Sequence, residues 1–353
     1  MNKFKPTALI LEHYNRCNLR CPFCARTYTP ESEEKKMSLD LAEKVISDIG
    51  AWVDKIRVHL TPLGELFLND LLFGYIKFAV EQIKHPYIVT CSNGIPIIMN
   101  PELGVKFFEV GGHQLIIDLY HVEIHEMLMV KLPKLEKQLD KLDVEVYLYR
   151  DDTGCCYTLD GEKVGRFYLY YHKGSKKYFI INVCYDVEAK GKGGIRKFHN
   201  MGGHLPPGIK GIDYKPKPYK FCLRPFREIT VDYYGCVRLC CQSFWNDIVL
   251  GKFPEDGSLE EIWNNDLMWV YRWFLRHAPI KRVLPPCRDC TYHGSFRPHE
   301  KIEKPDFVDV SNLEEVIRYV ESTQVKYNKY KHKYYFECPW KKTKIISLSE
   351  YLK

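Results

Sequence analysis

Thr7-Ala8-Leu9-Ile10-Leu11-Glu12-His13-Tyr14-Asn15-Arg16-Cys17-Asn18-Leu19-Arg20-Cys21-Pro22-Phe23-Cys24 is the stretch from which the rest of the chain is read. Thr7–Leu11 has the short apolar run of a buried strand. Three cysteines then fall within eight residues, on the loop that leaves the strand's C-terminal end. Parallel α/β folds place their chemistry at that end. Three close thiolates can ligate three irons of a cubane and leave the fourth iron open, whereas a structural zinc ion needs a fourth Cys or His. His13 is the only local candidate for that fourth ligand.

Working outward, the same strand character recurs at Lys55–Leu60, Tyr87–Cys91, Gln114–Leu119 and Asp143–Tyr149. Helical periodicity lies between these runs: Ser38 N-caps a helix through Trp52, Asp70 starts one to about Ile83, Glu102–Val110 is a third, and Glu123–Leu142 is a fourth that contains Pro133. Strand and helix alternating in this way imply a parallel sheet with right-handed crossovers, open or partly rolled into a barrel. Past Arg150, Gly165–Tyr171 and Lys177–Val187 alternate like a hairpin about Lys173-Gly174-Ser175. A stretch rich in Gly and Pro follows from Gly191 to Pro218, with His199, Asn200 and His204 in it, which suits a linker or a substrate-contacting loop. Near the C-terminus, about Leu313–Thr323 reads as a capped amphipathic helix, followed by an aromatic, basic tail.

With 353 residues, 45% of them apolar, the chain can bury one large core and carry a smaller appendage. The first apolar run meets Glu12 well short of signal-peptide or membrane-span length, so a cytoplasmic protein is expected. In that compartment fourteen cysteines point to metal ligation more than to a disulfide framework. The net charge of +7 is spread over short patches such as Lys215-Pro216-Lys217. It suits an anionic cofactor or substrate, and no Arg/Lys stripe with interleaved aromatics marks a nucleic-acid surface.

A second cysteine set lies toward the C-terminus: Cys222, then Gly235-Cys236-Val237-Arg238-Leu239-Cys240-Cys241, then Cys287-Arg288-Asp289-Cys290. Taken alone, these spacings suit a zinc ribbon as well as an iron–sulfur cluster.

The C-x3-C-x2-C spacing with Phe23 before its last cysteine resembles the cluster motif of the radical S-adenosylmethionine superfamily. That resemblance implies a partial (β/α)6 TIM-like barrel over 1–215. It also implies a [4Fe–4S] cluster on Cys17, Cys21 and Cys24, with S-adenosylmethionine chelating the open iron. Leu63-Gly64-Glu65 stands where the family has Gly-Gly-Glu, with Leu63 at the first position. Gly64 would then admit the cofactor and Glu65 would accept from its amino group. Ser92-Asn93-Gly94 resembles the family's Ser/Thr-Asn-Gly turn, and Asp118 is the candidate for the ribose hydroxyls.

Cys222, Gly235, Cys240, Cys287 and Cys290, with Leu250-Gly251-Lys252 and Ser258-Leu259-Glu260-Glu261-Ile262-Trp263, resemble the auxiliary-cluster domains called SPASM and twitch, placed here at 216–300. Phe296 stands where the longer SPASM pattern has its next cysteine. The resemblance therefore implies the twitch form, with a second [4Fe–4S] cluster on Cys222, Cys240, Cys287 and Cys290, and leaves 301–353 as an extension without an assigned role.

The activity these resemblances imply is hydrogen abstraction by a 5′-deoxyadenosyl radical from a small polar, sugar- or aminocyclitol-like substrate, which is oxidised or epimerised. Phe198 to Gly203 resembles an Asn-Arg-Ala/Gly-Gly stretch of such members, with Met201 in place of the arginine. His199, His204 and Glu228 are candidate bases, and Cys241 or Cys236 a candidate hydrogen-atom donor. An external one-electron reductant of the flavodoxin or ferredoxin kind is implied as partner. Two alternatives stay open. One is a peptide-modifying maturase, which a peptide-binding domain ahead of the first strand would favour; about six residues precede that strand. The other is a zinc-stabilised nucleic-acid-binding protein without turnover.

Overall fold

The computed structural model describes residues 3–28, 33–60, 63–150, 155–160, 162–166, 177–184, 198–199, 201–209, 212–215, 222–244, 247–277, 284–292 and 302–330. The chain opens with β1 (Ala8–Glu12), α1 (Leu39–Trp52), β2 (Lys55–Leu60), α2 (Leu72–Gln82) and β3 (His85–Ser92). It continues through α3 (Ile95–Met99), α4 (Glu102–Glu109), β4 (Gln114–Leu119), α5 (Val122–Asp140) and β5 (Val144–Arg150). Short strands β6 (Cys155–Thr158) and β7 (Lys163–Arg166) precede β8 (Lys177–Val183), β9 (Phe198–His199) and β10 (Ile212–Asp213). The last third holds α6 (Arg224–Arg227), β11 (Glu228–Asp232), β12 (Cys236–Arg238), β13 (Val249–Lys252), α7 (Leu259–Trp263), α8 (Asp266–His277) and α9 (Leu313–Gln324).

The helices form where the sequence gives them a stripe to bury. In α1, Ala42, Val45, Ile46 and Ile49 are buried at the spacing of one helix face, and the Ser38 hydroxyl accepts from the Leu41 amide as N-cap. In α5 the buried stripe is Ile124, Leu128, Leu132, Leu135 and Leu139, and Pro133 lies inside the helix, which continues past it.

One sheet carries eleven of the strands, in the order β13-β12-β11-β1-β2-β3-β4-β8-β5-β6-β7. The seven from β11 to β5 run parallel, with antiparallel strands at either edge, and the sheet does not close: a partial barrel. Alternation along the strands separates two faces. Leu9, Leu11, Val58, Leu60, Ile88, Leu115, Ile117, Phe179 and Ile181 belong to the large core shared with the helices. Val89, Ile116, Tyr147, Tyr149, Tyr178 and Ile180 pack together on the inner face.

The structure corrects the expected hairpin of 165–171 with 177–187. Lys177–Val183 is an interior strand, parallel to β4 on one side and to β5 on the other, while β7 pairs with β6. Tyr178 to Asn182 are all buried, as a strand covered on both faces must be. Residues 167–176 and 185–187, on which the rest of that hairpin falls, lie outside the described residues. The outer edge of β13 is covered by α9, whose Gln324 side chain accepts from the Val249 amide and donates to the Val249 carbonyl, at 2.9 Å each.

Beside β1, the buried carboxylate of Glu12 pairs with the fully buried Arg238 of β12. Removing one partner strands the other charge, a change that typically costs about 3–5 kcal/mol, whereas an apolar pair of similar volume is tolerated. Arg238→Met is therefore expected to lower stability by about that amount in equilibrium urea unfolding, and Glu12→Leu added to it should recover most of the loss. A double variant no more stable than the single would show that the pair is not what holds β12 to β1.

Candidate functional site

The cysteine loop after β1 is held from several sides. Asn15 is buried, donates to the Glu33 carbonyl at 3.1 Å and accepts from the Lys35 amide at 2.7 Å. The Cys24 amide donates to the Cys21 carbonyl at 3.0 Å, and the Thr27 hydroxyl reaches the same carbonyl at 2.6 Å. Cys17, Cys21 and Cys24 all line one cavity of about 580 Å³ and none is in a disulfide. Burial pushes all three thiols up, Cys21 to about 12. Thiols so placed give up their protons when a cationic group takes them as ligands. The donor set therefore fits an iron–sulfur cluster. His13, the sequence's candidate fourth zinc ligand, is in the core instead, with Nδ1 at 2.8 Å from Asn69 Nδ2 and its ring against Tyr75.

Gly64 follows β2 because nothing larger fits: a Cβ there would stand 2.7 Å from the Tyr14 carbonyl oxygen and 3.1 Å from that of Arg16. Glu65 is thereby brought under the cysteine loop, with 1% of its surface exposed. Its carboxylate accepts from Ser92 Oγ at 2.8 Å, the Asn93 amide at 2.8 Å and the Phe67 amide at 3.3 Å. Burial still outweighs these bonds and lifts the carboxyl to about 7. Asn93 also donates to Asn18 Oδ1 at 2.7 Å and to Cys17 Sγ at 3.7 Å, so the turn after β3 ties Glu65 to the cysteine loop. Gly94 closes that turn at φ +84°.

Asp118, near the end of β4, accepts from Asn182 Nδ2 at 2.6 Å and from the Tyr120 hydroxyl at 3.4 Å. The Tyr120 ring meets Phe23 with centroids 5.0 Å apart. Phe23, Gly64, Glu65, Ser92, Asn93 and Asp118 all line the same cavity as the three cysteines.

From there the cavity runs into the barrel, past Ile10, His59 and Cys91, to Arg57, Arg224, Glu228, Cys241, Gln242 and Tyr292. Arg57, His59 and Arg224 were not read from the sequence as site residues. The signal was present in β2, where Arg57 and His59 alternate with Ile56, Val58 and Leu60 in a strand whose central parallel position favours apolar residues on both faces. Arg224 donates to Cys241 Sγ at 2.7 Å, is paired with Glu228, and lies over the Tyr292 ring at 4.0 Å.

Cys222, Cys240, Cys287 and Cys290 are all buried and line one small cavity beside the large one. Burial, then the neighbouring thiols, push Cys240 well above its ordinary value, so its thiolate would need a cationic group bound to it. Arg224, Gln242 and Tyr292 line both cavities, so a single layer of side chains separates them.

Cys241 faces the large cavity, whereas Cys236 is fully buried against Val249 and Tyr327, away from both. His204 is a correction: it is fully buried, with Nε2 2.8 Å from Asp247 Oδ2 and its ring edge-on to Phe244, and is not in the cavity wall. A polar residue in a Gly-rich segment suggested a loop base, but burial beside a carboxylate gives it a structural place. The His199 side chain lies outside the described residues. Met201, at the position of the expected arginine, lines the cavity and accepts from the Ala25 amide through Sδ at 3.2 Å.

Residues 222–291 match the family model described as SPASM, an iron–sulfur cluster-binding domain. Among solved structures, the fold is similar to BtrN in complex with AdoMet and 2-DOIA: TM-score 0.55, 16% identity, over 86% of this chain and 98% of that one. It is also similar to BtrN in an open conformation, at TM-score 0.51 and 14% identity, over 83% and 94%. No curated protein sequence matches the chain. No helix among the described residues is long and apolar enough to cross a membrane. The chain thus shares the partial-barrel fold of BtrN, and its C-terminal region at 222–291 matches the SPASM iron–sulfur cluster-binding domain.

Proposed function

We propose that the protein binds one [4Fe–4S] cluster on Cys17, Cys21 and Cys24 and a second on Cys222, Cys240, Cys287 and Cys290. S-adenosylmethionine would lie against Gly64, Glu65, Ser92, Asn93 and Asp118, and the substrate would be a small polar molecule, oxidised or epimerised at carbon. The observation that carries this is the single cavity shared by the three cysteines, the buried Glu65 and, farther in, Cys241 and Glu228. Its volume, about 580 Å³, is in the range of small-molecule sites. The similar BtrN fold was determined with AdoMet and a second ligand, 2-DOIA, which supports a small substrate beside the cofactor.

When bound, the first cluster and S-adenosylmethionine supply methionine and a 5′-deoxyadenosyl radical that takes a hydrogen atom from the substrate. The chain's own residues bind, orient and complete that chemistry. Glu65, held in place by Ser92 and Asn93, would accept from the cofactor's ammonium group. Phe23 and Tyr120, whose rings meet, form an apolar part of the cavity lining. In an oxidation, Glu228 is the lining carboxylate placed to take the substrate proton, and the electron given up with it would pass to the cluster that Cys222, Cys240, Cys287 and Cys290 would hold. Cys241 is the lining thiol placed to return a hydrogen atom in an epimerisation: the S–H bond breaks, a C–H bond forms, and one electron and one proton from outside restore the thiol. An external one-electron reductant, of the flavodoxin or ferredoxin kind, feeds either course.

The test is 5′-deoxyadenosine formation from S-adenosylmethionine and dithionite by the anaerobically reconstituted protein, with small polar molecules screened for those that raise it. No cleavage by iron-loaded protein would overturn the proposal. With a substrate found in this way, turnover in D2O should place one deuterium at the reacting carbon if Cys241 returns the hydrogen. Cys241→Ala should then still form 5′-deoxyadenosine but lose the deuterated product; retention of that product would exclude the thiol.

Glu65 gives a pH dependence of defined sign. Its carboxyl, raised to about 7 by burial, is favoured protonated in the free protein, and the ionised form that receives an ammonium group prevails only above that pH. S-adenosylmethionine affinity should therefore fall by up to about tenfold per unit as pH drops below about 7, and level off above it. Titration calorimetry in buffers of different ionisation enthalpy should register proton release on binding. Glu65→Gln should bind weakly with little pH dependence; a wild-type profile flat from pH 5.5 to 8 would contradict this role.

A further inference from the structure

Besides its four cysteines, the small cavity has one ionisable cation in its wall among the described residues, Arg224, which lines the large cavity as well. The chain brings it there by a short route: Arg224 is two residues past Cys222 and opens α6, which leads directly into β11. One helical turn on, Glu228, the first residue of β11, pairs with the same guanidinium through Nη1, which also donates to Cys241 Sγ at 2.7 Å. Its Cζ lies 4.0 Å from the centre of the Tyr292 ring, and its Nε is buried with no hydrogen-bond partner. Glu228 lines only the large cavity, where Arg57 Nη2 is 4.0 Å from its other oxygen. The order across the wall is therefore four thiols, a guanidinium, a carboxylate and then the substrate space. Arg238, two residues before Cys240, lines neither cavity and is paired with Glu12.

We infer that Arg224 is a positioning residue that couples proton and electron in the oxidation: it holds Glu228 toward the substrate space, while its charge and its unspent Nε–H favour the reduced state of the cluster on Cys222, Cys240, Cys287 and Cys290. The inference rests on the proposed function for the presence of that cluster. Four thiolates give the site net negative charge, and reduction adds one more. A fixed cation and an N–H donor to sulfur both make that addition easier. The guanidinium keeps its charge at any working pH, and the interior screens it weakly. Glu228 offsets this cation while it is ionised. Once the hydrogen atom has left the substrate carbon, the adjoining O–H or N–H bond breaks as the carbon–heteroatom double bond forms, and Glu228 takes the proton. The offset then disappears just as one electron is released toward the small cavity, and an external one-electron carrier of the flavodoxin or ferredoxin kind removes that electron afterwards.

A redox titration followed by electron paramagnetic resonance, on the full-length chain with both clusters loaded, tests this without a substrate. S-adenosylmethionine should alter only the signal of the N-terminal cluster, and Cys17/Cys21/Cys24→Ala should leave only the other, which assigns the two. Arg224→Gln should disfavour reduction of the second cluster about tenfold, a fall of about 59 mV for one electron. Glu228→Gln, which mimics the protonated carboxyl, should favour reduction by about threefold, the carboxylate being the farther of the two charges. Arg224→Lys should stay near the wild type, and the N-terminal cluster should not move in any of the three. Loosened packing would not shift the potential in opposite directions at two neighbouring residues. Should Arg224→Gln lose its iron, the sign of the Glu228→Gln shift decides. Shifts of the same sign, a potential that Glu228→Gln leaves unmoved, or a second cluster that dithionite cannot reduce in the wild type would overturn the inference. Iron and sulfide missing from the second site would overturn the proposed function with it, whereas a loaded cluster with an unmoved potential would leave the proposed function standing.

Discussion

The whole arrangement depends on β1 being paired along its length on both sides. Its five residues lie in parallel register with β11 and four of them with β2, strands more than 160 residues apart in the chain. Such pairing has a high loop-closure cost and is repaid only when both faces of the strand are buried, as all five residues of β1 are. One consequence is that the SPASM region is not a separate bead on the chain. Its first strand continues the barrel sheet, and Glu228 and Cys241 are held to the same lumen as the N-terminal cysteine loop.

That shared sheet explains how two thiol-lined sites come to lie a side chain's thickness apart. Arg224, Gln242 and Tyr292 belong to both cavities, and Arg224 links the Cys241 thiol to the Glu228 carboxylate within this partition. Groups so placed feel the charge of whatever occupies either side, because the field is weakly screened in the interior. At the other end Glu65 is treated in a comparable way. A carboxylate with three hydrogen-bond donors is usually an easy anion, yet complete burial keeps it poised near neutrality until a cation arrives.

Much of this was legible in the sequence because it is encoded locally. Cysteine spacing, the Gly64-Glu65 pair just past a strand, and an Asn-Gly turn at a strand end all leave marks within a few residues, as does the Ser38 cap. What was not legible depends on pairings between distant segments. Lys177–Val183 has the alternation of a hairpin strand, and only its neighbours β4 and β5 make it an interior one. His204 looked available in a Gly-rich segment until Asp247 and Phe244 closed over it. Arg57 and His59 read as the ordinary polar positions of a strand, and become cavity residues only once β1 and β11 set which face of β2 looks inward. The distinction between Cys236 and Cys241, five residues apart, is likewise one of facing.

The central claim is that two separate cysteine sets each hold an iron–sulfur cluster on one continuous sheet. Iron and acid-labile sulfide, quantified anaerobically on the wild type, on Cys17/Cys21/Cys24→Ala and on Cys222/Cys240/Cys287/Cys290→Ala, test it most directly. The account predicts about eight of each per chain in the wild type and about four in either variant, since each cubane contributes four. Zinc without sulfide in the wild type, or an iron content that either set of substitutions leaves unchanged, would contradict it.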